Sequence, residues 1–171
     1  MKFIIFSGLP GTGKSTLAEG IGKHLSIPVF AKDWLETVLL RNGLKPTHQE
    51  QSLGFVGYEL LTVLAERQFM LRQSAILDSV AGSQNIRSTW YQLAARYDAD
   101  WRVIECICSD ELLHRSRLKD RRRNIPDWHE LDWSEVERVK RQYSAWEAER
   151  LVLDMTHSFD ENFSKNKIYC E

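Results

Sequence analysis

Short, uninterrupted runs of apolar residues alternate along the chain with longer segments in which apolar residues recur every three or four positions. An uninterrupted run is typical of a strand buried on both faces, and the wider spacing is typical of an amphipathic helix. The runs predict strands at 3–6, 28–31, 75–78, 101–108 and 151–154. The spaced segments predict helices at about 15–25, 34–40, 55–72 and 85–97, one from 111, one from 132 to about 149, and then a polar tail.

Strands that alternate with helices in this way predict an α/β fold. The sheet is expected to be parallel and covered by helices on both faces, in three layers. Ligands of such sheets bind outside the carboxyl ends of the strands, where the connecting loops leave a crevice. The chain has 171 residues and shows no repeat, low-complexity tract or linker, so we expect a single domain over 1–171.

Polar residues precede three of the predicted helices and are candidates for N-caps. Ser83 can cap the helix at 85–97. Asp110 lies directly before the helix that begins at 111. The next helix has two possible capping boxes, Asp132 with Glu135 or Ser134 with Glu137. Either pair would satisfy backbone N–H groups that the first turn of a helix leaves without partners.

Charge and cysteine content narrow the range of functions. The net charge is −1, so no global field is expected to recruit nucleic acid or an anionic membrane. No apolar run approaches the length of a membrane span, and residues 3–6 are too short for a signal peptide. Cys106, Cys108 and Cys170 are too few and too irregularly spaced for a disulfide framework or a zinc site. We therefore expect a cytoplasmic protein in which Cys106 and Cys108 are buried core thiols.

The segment GLPGTGKS at 8–15 carries the most specific chemistry of the chain. It matches the phosphate-binding pattern G-x-x-x-x-G-K-[ST] and lies between the first predicted strand and the first predicted helix. Its glycines let backbone N–H groups turn toward a phosphate, and the helix N-terminus adds a positive dipole. Lys14 is expected to reach the terminal phosphates and assist catalysis, and the Ser15 hydroxyl to ligate Mg²⁺. The candidate nucleotide-binding residues here are Gly8, Gly11, Thr12, Gly13, Lys14, Ser15 and Thr16.

Two aspartates stand at the ends of predicted strands. Asp33 follows the second strand, where a carboxylate could accept a proton from an attacking hydroxyl, although it could also be a helix N-cap. Asp78 ends the apolar third strand, as a Walker B-type aspartate does when it faces Mg²⁺ or its water ligands. The alternative role for Asp78 is a turn cap.

A basic cluster follows the fourth predicted strand. It comprises Arg115, Arg117, Lys119, Arg121, Arg122 and Arg123, and a helix-breaking stretch at 124–127 comes next. We interpret about 115–130 as a lid over bound nucleotide, because arginines there could neutralise the charge of a transferring phosphoryl group. A solvated helix face and a nucleic-acid patch are the alternatives.

Together these features resemble a group of small P-loop kinases within the broad AAA-type ATP-binding families. The group includes chloramphenicol phosphotransferase, the zeta-toxin kinases and the kinase domain of polynucleotide 5′-kinase, and the likeness covers about 3–154. The resemblance implies the P-loop NTPase fold with sheet order 2-3-1-4-5. It also implies ATP and Mg²⁺ as cofactors, with transfer of the γ-phosphoryl group to a hydroxyl.

The resemblance also assigns roles by position. It implies that Asp33 is the base and that Asp78 lies in the metal or substrate region. It places Arg115, Arg121 and Arg123 in the lid, with Arg115 binding the nucleotide and the other two acting in catalysis. It would further let Arg87 touch substrate or phosphate.

The acceptor is left open. No second aspartate accompanies Asp33 in a D-x-D pattern, and no extended basic groove follows a polynucleotide backbone. We therefore expect a small molecule with a hydroxyl group. The alternatives are a nucleotide-binding protein without enzymatic activity and a 5′-hydroxyl polynucleotide kinase. A GTPase would need an N-K-x-D motif, and a mechanochemical ATPase a strand ending in Asp-Glu, whereas this strand ends in Asp78-Ser79.

Overall fold

The computed structural model of the protein describes residues 1–44, 53–122, 125–126 and 130–171. Five strands form one parallel sheet in the order β2-β3-β1-β4-β5, as the resemblance implied. The strands are β1 (Lys2–Ser7), β2 (Val29–Ala31), β3 (Ala75–Asp78), β4 (Asp100–Ile107) and β5 (Leu151–Asp154).

Seven helices connect or flank these strands within the described part of the chain. They are α1 (Lys14–Leu25), α2 (Lys32–Arg41), α3 (Leu53–Met70), α4 (Gln84–Arg96), α5 (Glu111–Asp120), α6 (Trp133–Gln142) and α7 (Phe159–Cys170). Helices α3 and α4 supply side chains to the core on one face of the sheet, and α1 and α7 supply them on the other. The fold is therefore the predicted three-layer arrangement.

Strand β1 lies at the centre of both cores. Phe3 and Ile5 pack toward α3 and α4, whereas Ile4 and Phe6 pack toward α1 and α7. All four side chains are fully buried, because successive residues of a strand point to opposite faces and both faces are covered. This double burial explains the uninterrupted apolar run in the sequence.

Two of the predicted N-caps form their side-chain hydrogen bonds, whereas Ser83 occupies the N-cap position of α4 without such a bond. The Asp110 carboxylate accepts a hydrogen bond from the backbone N–H of Leu113 at 3.0 Å. Of the two possible capping boxes, Asp132 with Glu135 is the one that forms. Asp132 accepts from the N–H of Glu135 at 3.0 Å, and the Glu135 carboxylate accepts from the N–H of Asp132 at 3.1 Å.

Two predicted boundaries are wrong. Helix α6 ends at Gln142 instead of near 149, because the backbone after it bonds to other segments: the Ser144 N–H donates to the Gly82 carbonyl at 2.9 Å. The end of the chain is helix α7 and not a polar tail, and the Ser158 side chain caps it. Cys106 is a buried core thiol as expected, but Cys108 lies beyond the end of β4 and is only partly buried.

No helix among the described residues is both long and apolar enough to cross a membrane.

Candidate active site

The loop between β1 and α1 has the backbone shape that the sequence motif predicts. Gly8, Gly11 and Gly13 have φ angles of 141°, 85° and 93°, which residues with a side chain rarely adopt. Gly13 occupies the N-cap position of α1 and offers no side-chain hydrogen bond to the first turn. The N–H groups at this end of the helix are therefore oriented toward any anion held by the loop.

The polar side chains of the loop differ in their surroundings. Lys14 is the first residue of α1 and is only 5% exposed. Thr12 is buried, and its hydroxyl donates to the Leu9 carbonyl at 2.9 Å, so this side chain braces the loop. Ser15 is half-buried and Thr16 is exposed. Contact of these residues with nucleotide stays a prediction.

Asp78 lies at the carboxyl end of β3, and its backbone pairs with Phe6 of β1 and with Ala31 of β2. The residue is 5% exposed, and within the described chain its Oδ1 atom has no hydrogen-bond partner. The hydroxyl oxygen of the adjacent Ser79 is also buried without a partner there. Buried polar atoms are nearly always hydrogen-bonded, so two neighbouring exceptions mark a position where a ligand would supply the missing partners.

The Cys106 thiol shows that Lys14 and Asp78 lie at the same end of the sheet. Burial raises the pKa of Cys106 to about 12, the positive charge of Lys14 lowers it, and the negative charge of Asp78 raises it further. Both charged groups therefore act on the same thiol, which belongs to β4. The arrangement places an ammonium and a carboxylate beside the phosphate-binding loop.

Asp33 lies in the first turn of α2, as its second residue, and is half-buried. The N-cap of α2 is Ala31, so the interpretation of Asp33 as an N-cap is wrong. A carboxylate in the first turn is favoured by the helix dipole, which stabilises its charged form. The role of Asp33 as a base stays a prediction.

A cavity of about 290 Å³ adjoins Asp78. Its walls are formed by the end of β2, by α2 and by α1. Trp34, half of whose surface is exposed, forms part of one wall. The described lining residues include two carboxylates and no basic side chain: Glu19, Val29, Phe30, Ala31, Trp34, Leu35 and Asp78.

The structure brings one of the predicted lid arginines close to Asp78. Arg121 directly follows α5 and serves as its C-cap. Burial lowers the pKa of Arg121, while the charges of Glu130 and Asp78 raise it, so its guanidinium lies within electrostatic range of Asp78. Arg123 lies outside the described residues.

Arg115 faces a different direction. Its guanidinium donates to the Glu111 carboxylate at 2.8 Å and stacks over the Trp133 ring, 4.5 Å from the ring centroid. About half of the Arg115 side chain is exposed, which also fits the alternative of a solvated helix face. Binding of nucleotide by Arg115 would require the side chain to leave both partners, and it stays a prediction.

The expectation that Arg87 touches substrate or phosphate is wrong. Arg87 is 3% exposed, and its three guanidinium nitrogens donate to the carbonyl oxygens of Ala81, Ser144 and Ala145 at 2.7–2.8 Å. The guanidinium also stacks over the Trp146 ring at 3.9 Å. Each of the three guanidinium nitrogens of Arg87 therefore takes part in joining two chain segments.

Sequence reasoning missed a buried polar network behind the loop. The indole N–H of Trp146 donates to the Ser7 hydroxyl at 3.1 Å, close to where the loop begins. Tyr143 and Arg150 donate to the two oxygens of the Glu105 carboxylate at 2.9 and 2.6 Å. Burial raises the pKa of Tyr143 to about 12, so it stays a hydrogen-bond donor at neutral pH. These contacts hold the end of β1 in place.

It also missed His114 of α5, which is buried against the loop and bonds to the Pro10 carbonyl. The available signal was weak: His114 and Leu118 lie four residues apart on a helix that also carries Leu112 and Leu113. That spacing indicates a buried helix face, although nothing in it specifies the loop as the neighbour.

Comparison with known proteins agrees with this geometry. A family model described as an AAA domain matches residues 3–146. The fold is similar to that of a sugar kinase from Janibacter sp., with 15% sequence identity, a TM-score of 0.73, and 99% of this chain and 94% of the other covered. A gluconokinase from Sinorhizobium meliloti has 14% identity and a TM-score of 0.71, with 99% and 91% covered. No curated protein matches the sequence significantly.

A third similar structure is Kti12 from Chaetomium thermophilum in complex with ADP-AlF3. It has 17% identity and a TM-score of 0.71, with 99% of each chain covered. These likenesses show that the chain has the fold of P-loop kinases. The narrower resemblance to chloramphenicol phosphotransferase and the zeta-toxin kinases stays a prediction.

Proposed function

The chain belongs to this AAA domain family, and we propose that it transfers the γ-phosphoryl group of ATP to a hydroxyl of a small molecule. The observation that carries the proposal is the buried carboxylate of Asp78, one oxygen of which has no hydrogen-bond partner within the described chain. It lies beside the phosphate-binding loop and Lys14. A buried carboxylate with an unbonded oxygen in such a place is suited to a metal-bound nucleotide.

The loop supports the binding of the nucleotide phosphates. The backbone N–H groups of Gly11 and Gly13 and the uncapped N-terminus of α1 offer hydrogen bonds to phosphate oxygens. Lys14 would add a positive charge at the β- and γ-phosphates, and the backbone N–H groups of Ser15 and Thr16 would bind the oxygens deepest in the loop.

The residues present also fit Mg²⁺. Mg²⁺ prefers oxygen ligands, retains several waters and takes few ligands from the protein. Ser15 and Asp78 offer a hydroxyl and a carboxylate. The described residues contain no cluster of three or more His, Cys, Asp and Glu side chains suited to a metal, which agrees with a site completed by phosphate and water. When bound, the ion would neutralise charge on the β- and γ-phosphates.

Asp33 is the proposed general base. It lies two residues beyond Ala31, the last residue of β2, which pairs with Asp78, so the two carboxylates stand near the same edge of the sheet. An alcohol is a poor nucleophile until its proton is accepted by another group. A positioned carboxylate that does so accelerates such reactions by about 10²–10⁴-fold.

Positive charge for the transition state would come from Lys14, Arg121 and Arg123. Lys14 is fixed at the start of α1, and Arg121 lies within electrostatic range of Asp78. As the phosphoryl group passes between donor and acceptor, its charge spreads over the equatorial oxygens, where guanidinium groups stabilise it. Arg115 would bind the nucleotide only after leaving Glu111 and Trp133.

The cavity beside Asp78 favours a small acceptor over a polynucleotide. Its volume of about 290 Å³ is near the lower end of small-molecule sites, which hold about 300–1,000 Å³. Its described lining carries Glu19 and Asp78 but no basic side chain. A polynucleotide backbone would require positive charge along its path.

The second candidate function is nucleotide binding without phosphoryl transfer. Kti12 favours it, because that structure was solved with ADP-AlF3 and covers this chain almost completely. Such a protein would need the loop and Lys14 but no base at Asp33.

Incubation with [γ-³²P]ATP and a panel of acceptors separates these possibilities. The panel contains hydroxyl-bearing metabolites, antibiotics and 5′-hydroxyl oligonucleotides, each assayed with Mg²⁺ and with EDTA. Transfer to a small molecule that is lost in Lys14→Ala but retained in Lys23→Ala, an exposed lysine of the same helix, supports the proposal. Nucleotide binding with no labelled product across the panel would favour the second candidate, and labelled oligonucleotides would replace the small-molecule acceptor.

A further inference from the structure

Helix α5 lies directly on the phosphate-binding loop. The two buried residues of this helix, His114 and Leu118, are each 5% exposed. Both reach Gly11: a β-carbon there would be 3.0 Å from Leu118 Cδ1 and 3.2 Å from His114 Nε2. The missing side chain at Gly11 is therefore what allows helix and loop to touch.

One hydrogen bond defines this contact. His114 Nε2 lies 2.8 Å from the Pro10 carbonyl oxygen, and because a carbonyl can only accept, the imidazole donates. The peptide between Pro10 and Gly11 is trans, so its C=O and N–H groups point in opposite directions. Holding the Pro10 carbonyl toward α5 therefore turns the Gly11 N–H to the opposite side of the loop.

Packing alone does not support the loop on this side. A cavity of about 420 Å³ borders Gly8, Leu9 and Thr12 on this side, and the end of β4, Trp133 and Tyr143 also line it. Atoms that border a cavity lack neighbours there and gain little from dispersion contacts. The bond from His114 thus fixes the orientation of the peptide between Pro10 and Gly11, whereas Leu118 adds only apolar packing and no directional contact.

The surroundings of His114 favour a neutral donor. Its ring packs edge-on against Trp133 of α6, with 5.1 Å between the ring centroids. Burial lowers the pKa of His114, and the positive charges of Lys14, Lys140 and Arg117 lower it further, whereas the bond to Pro10 raises it. The imidazole therefore supports the loop without adding a positive charge behind it at neutral pH.

We infer that His114 is a positioning residue of the phosphate loop, which acts through the Pro10 carbonyl to direct the Gly11 N–H toward bound phosphate. The inference rests on the proposed binding of nucleotide by this loop. It also gives α5 two tasks, because the helix that supports the loop ends at Asp120 and the lid residue Arg121 follows it directly.

Four variants test this role by calorimetric titration with Mg-ADP and by thermal unfolding. In His114→Gln the side-chain amide can replace Nε2 as donor, whereas in His114→Asn the amide is one methylene too short and in His114→Leu there is no donor. Leu118→Ala is the matched control, because it removes the other contact with Gly11 and no hydrogen bond.

We expect about tenfold weaker Mg-ADP binding in the Leu and Asn variants and affinity within about threefold of wild type in the Gln variant. Leu118→Ala should lower the Tm with little change in affinity. Equal affinity in wild type and His114→Asn, or an equal loss in the Gln and Asn variants, would overturn the inference. If the Leu variant does not fold, the comparison of Gln with Asn gives the answer alone. Wild-type protein that fails to bind Mg-ADP would instead refute the proposed function, and this inference with it.

Discussion

Gly8 lies so close to β4 that a β-carbon on it would stand 2.2 Å from the carbonyl oxygen of Cys106. No rotation of a side chain relieves such a contact, because the obstacle is backbone. The φ angle of 141° adds a second reason for glycine at this position. The first glycine of the phosphate motif is therefore required by the fold as well as by the ligand.

Gly8→Ala should consequently destabilise the protein by about 3 kcal/mol or more, because overpacking and a strained φ act together. Gly43→Ala is the matched control: its φ is 83°, but a β-carbon there would meet nothing within 4 Å. The control should cost only about 1–2 kcal/mol from the φ angle. Urea unfolding of the two variants measures the difference, and equal costs would show that the contact with β4 relaxes.

Asp33→Asn tests the general base. We expect kcat to fall by about 10²–10⁴-fold, roughly 3–5 kcal/mol of transition-state stabilisation, with little change in ATP affinity. Since Ala31 and not Asp33 is the N-cap of α2, this variant leaves the N-cap residue of that helix unchanged. Asp98→Asn, in the turn after α4, serves as the control. Unchanged turnover with the identified acceptor would leave Asp33 without a catalytic role.

Asp78→Asn separates stability from activity. One oxygen of the Asp78 carboxylate is buried without a hydrogen-bond partner in the described chain, which is costly. Its replacement should therefore leave the Tm unchanged or raise it, while phosphoryl transfer falls and the Mg²⁺ requirement increases. Asp154, at the end of β5, is the aspartate whose replacement is compared with that of Asp78. Burial acts to raise the pKa of Asp154, but hydrogen bonds from Ser109 and Thr156 outweigh it and lower the pKa to about 2.

Asp154→Asn should therefore lower the Tm, because it weakens charge-assisted hydrogen bonds in the folded state. Thermal unfolding of both variants at neutral pH checks the opposite signs. A marked loss of stability in Asp78→Asn would mean that its carboxylate has a structural role.

His114 should make the stability of the protein depend on pH. Burial holds its folded-state pKa below the ordinary value of 6.5, so the unfolded chain binds the proton more readily. Its contribution is complete above about pH 6.5 and is lost as the pH falls toward and through the folded-state pKa. The free energy of unfolding should thus fall between pH 7 and pH 5, less steeply in His114→Gln. Identical pH profiles of the two proteins would contradict this.

The sequence predicted the centre of the fold well and its margins poorly. Residues 3–6 could be predicted as a strand because every side chain is buried, so no polar residue interrupts the apolar run. Helix α7 was not predicted, for the opposite reason. Its buried positions are Asn162, Asn166 and Cys170, at helical spacing but with two polar side chains. The Asn162 amide donates to the Asp154 carbonyl at 3.0 Å, a partner that sequence patterns do not reveal.

The residues of the candidate site also differ in whether the sequence could predict their roles. The phosphate loop and Asp78 could be found because each depends on a local pattern, a glycine motif or an aspartate that ends an apolar strand. The roles of His114 and Arg87 could not be predicted, because each side chain bonds to a carbonyl group that is distant in the sequence. An arginine near a predicted site fits a phosphate or a set of carbonyl oxygens equally well, and only the fold decides between them.

The short strand β2 affects how easily the two segments that carry the candidate site, one with Asp33 and one with the phosphate-binding loop, can open. It contains three residues, none of them fully buried, whereas β1 is enclosed on both faces. Amide hydrogens of β2 should therefore exchange with solvent faster than those of β1, since local opening is easiest where few apolar contacts are lost. Asp33 thus follows the least protected strand, and the phosphate loop follows the best protected one. The segment that carries Asp33 can therefore open locally at a small cost in free energy, while the segment that carries the phosphate-binding loop stays closed.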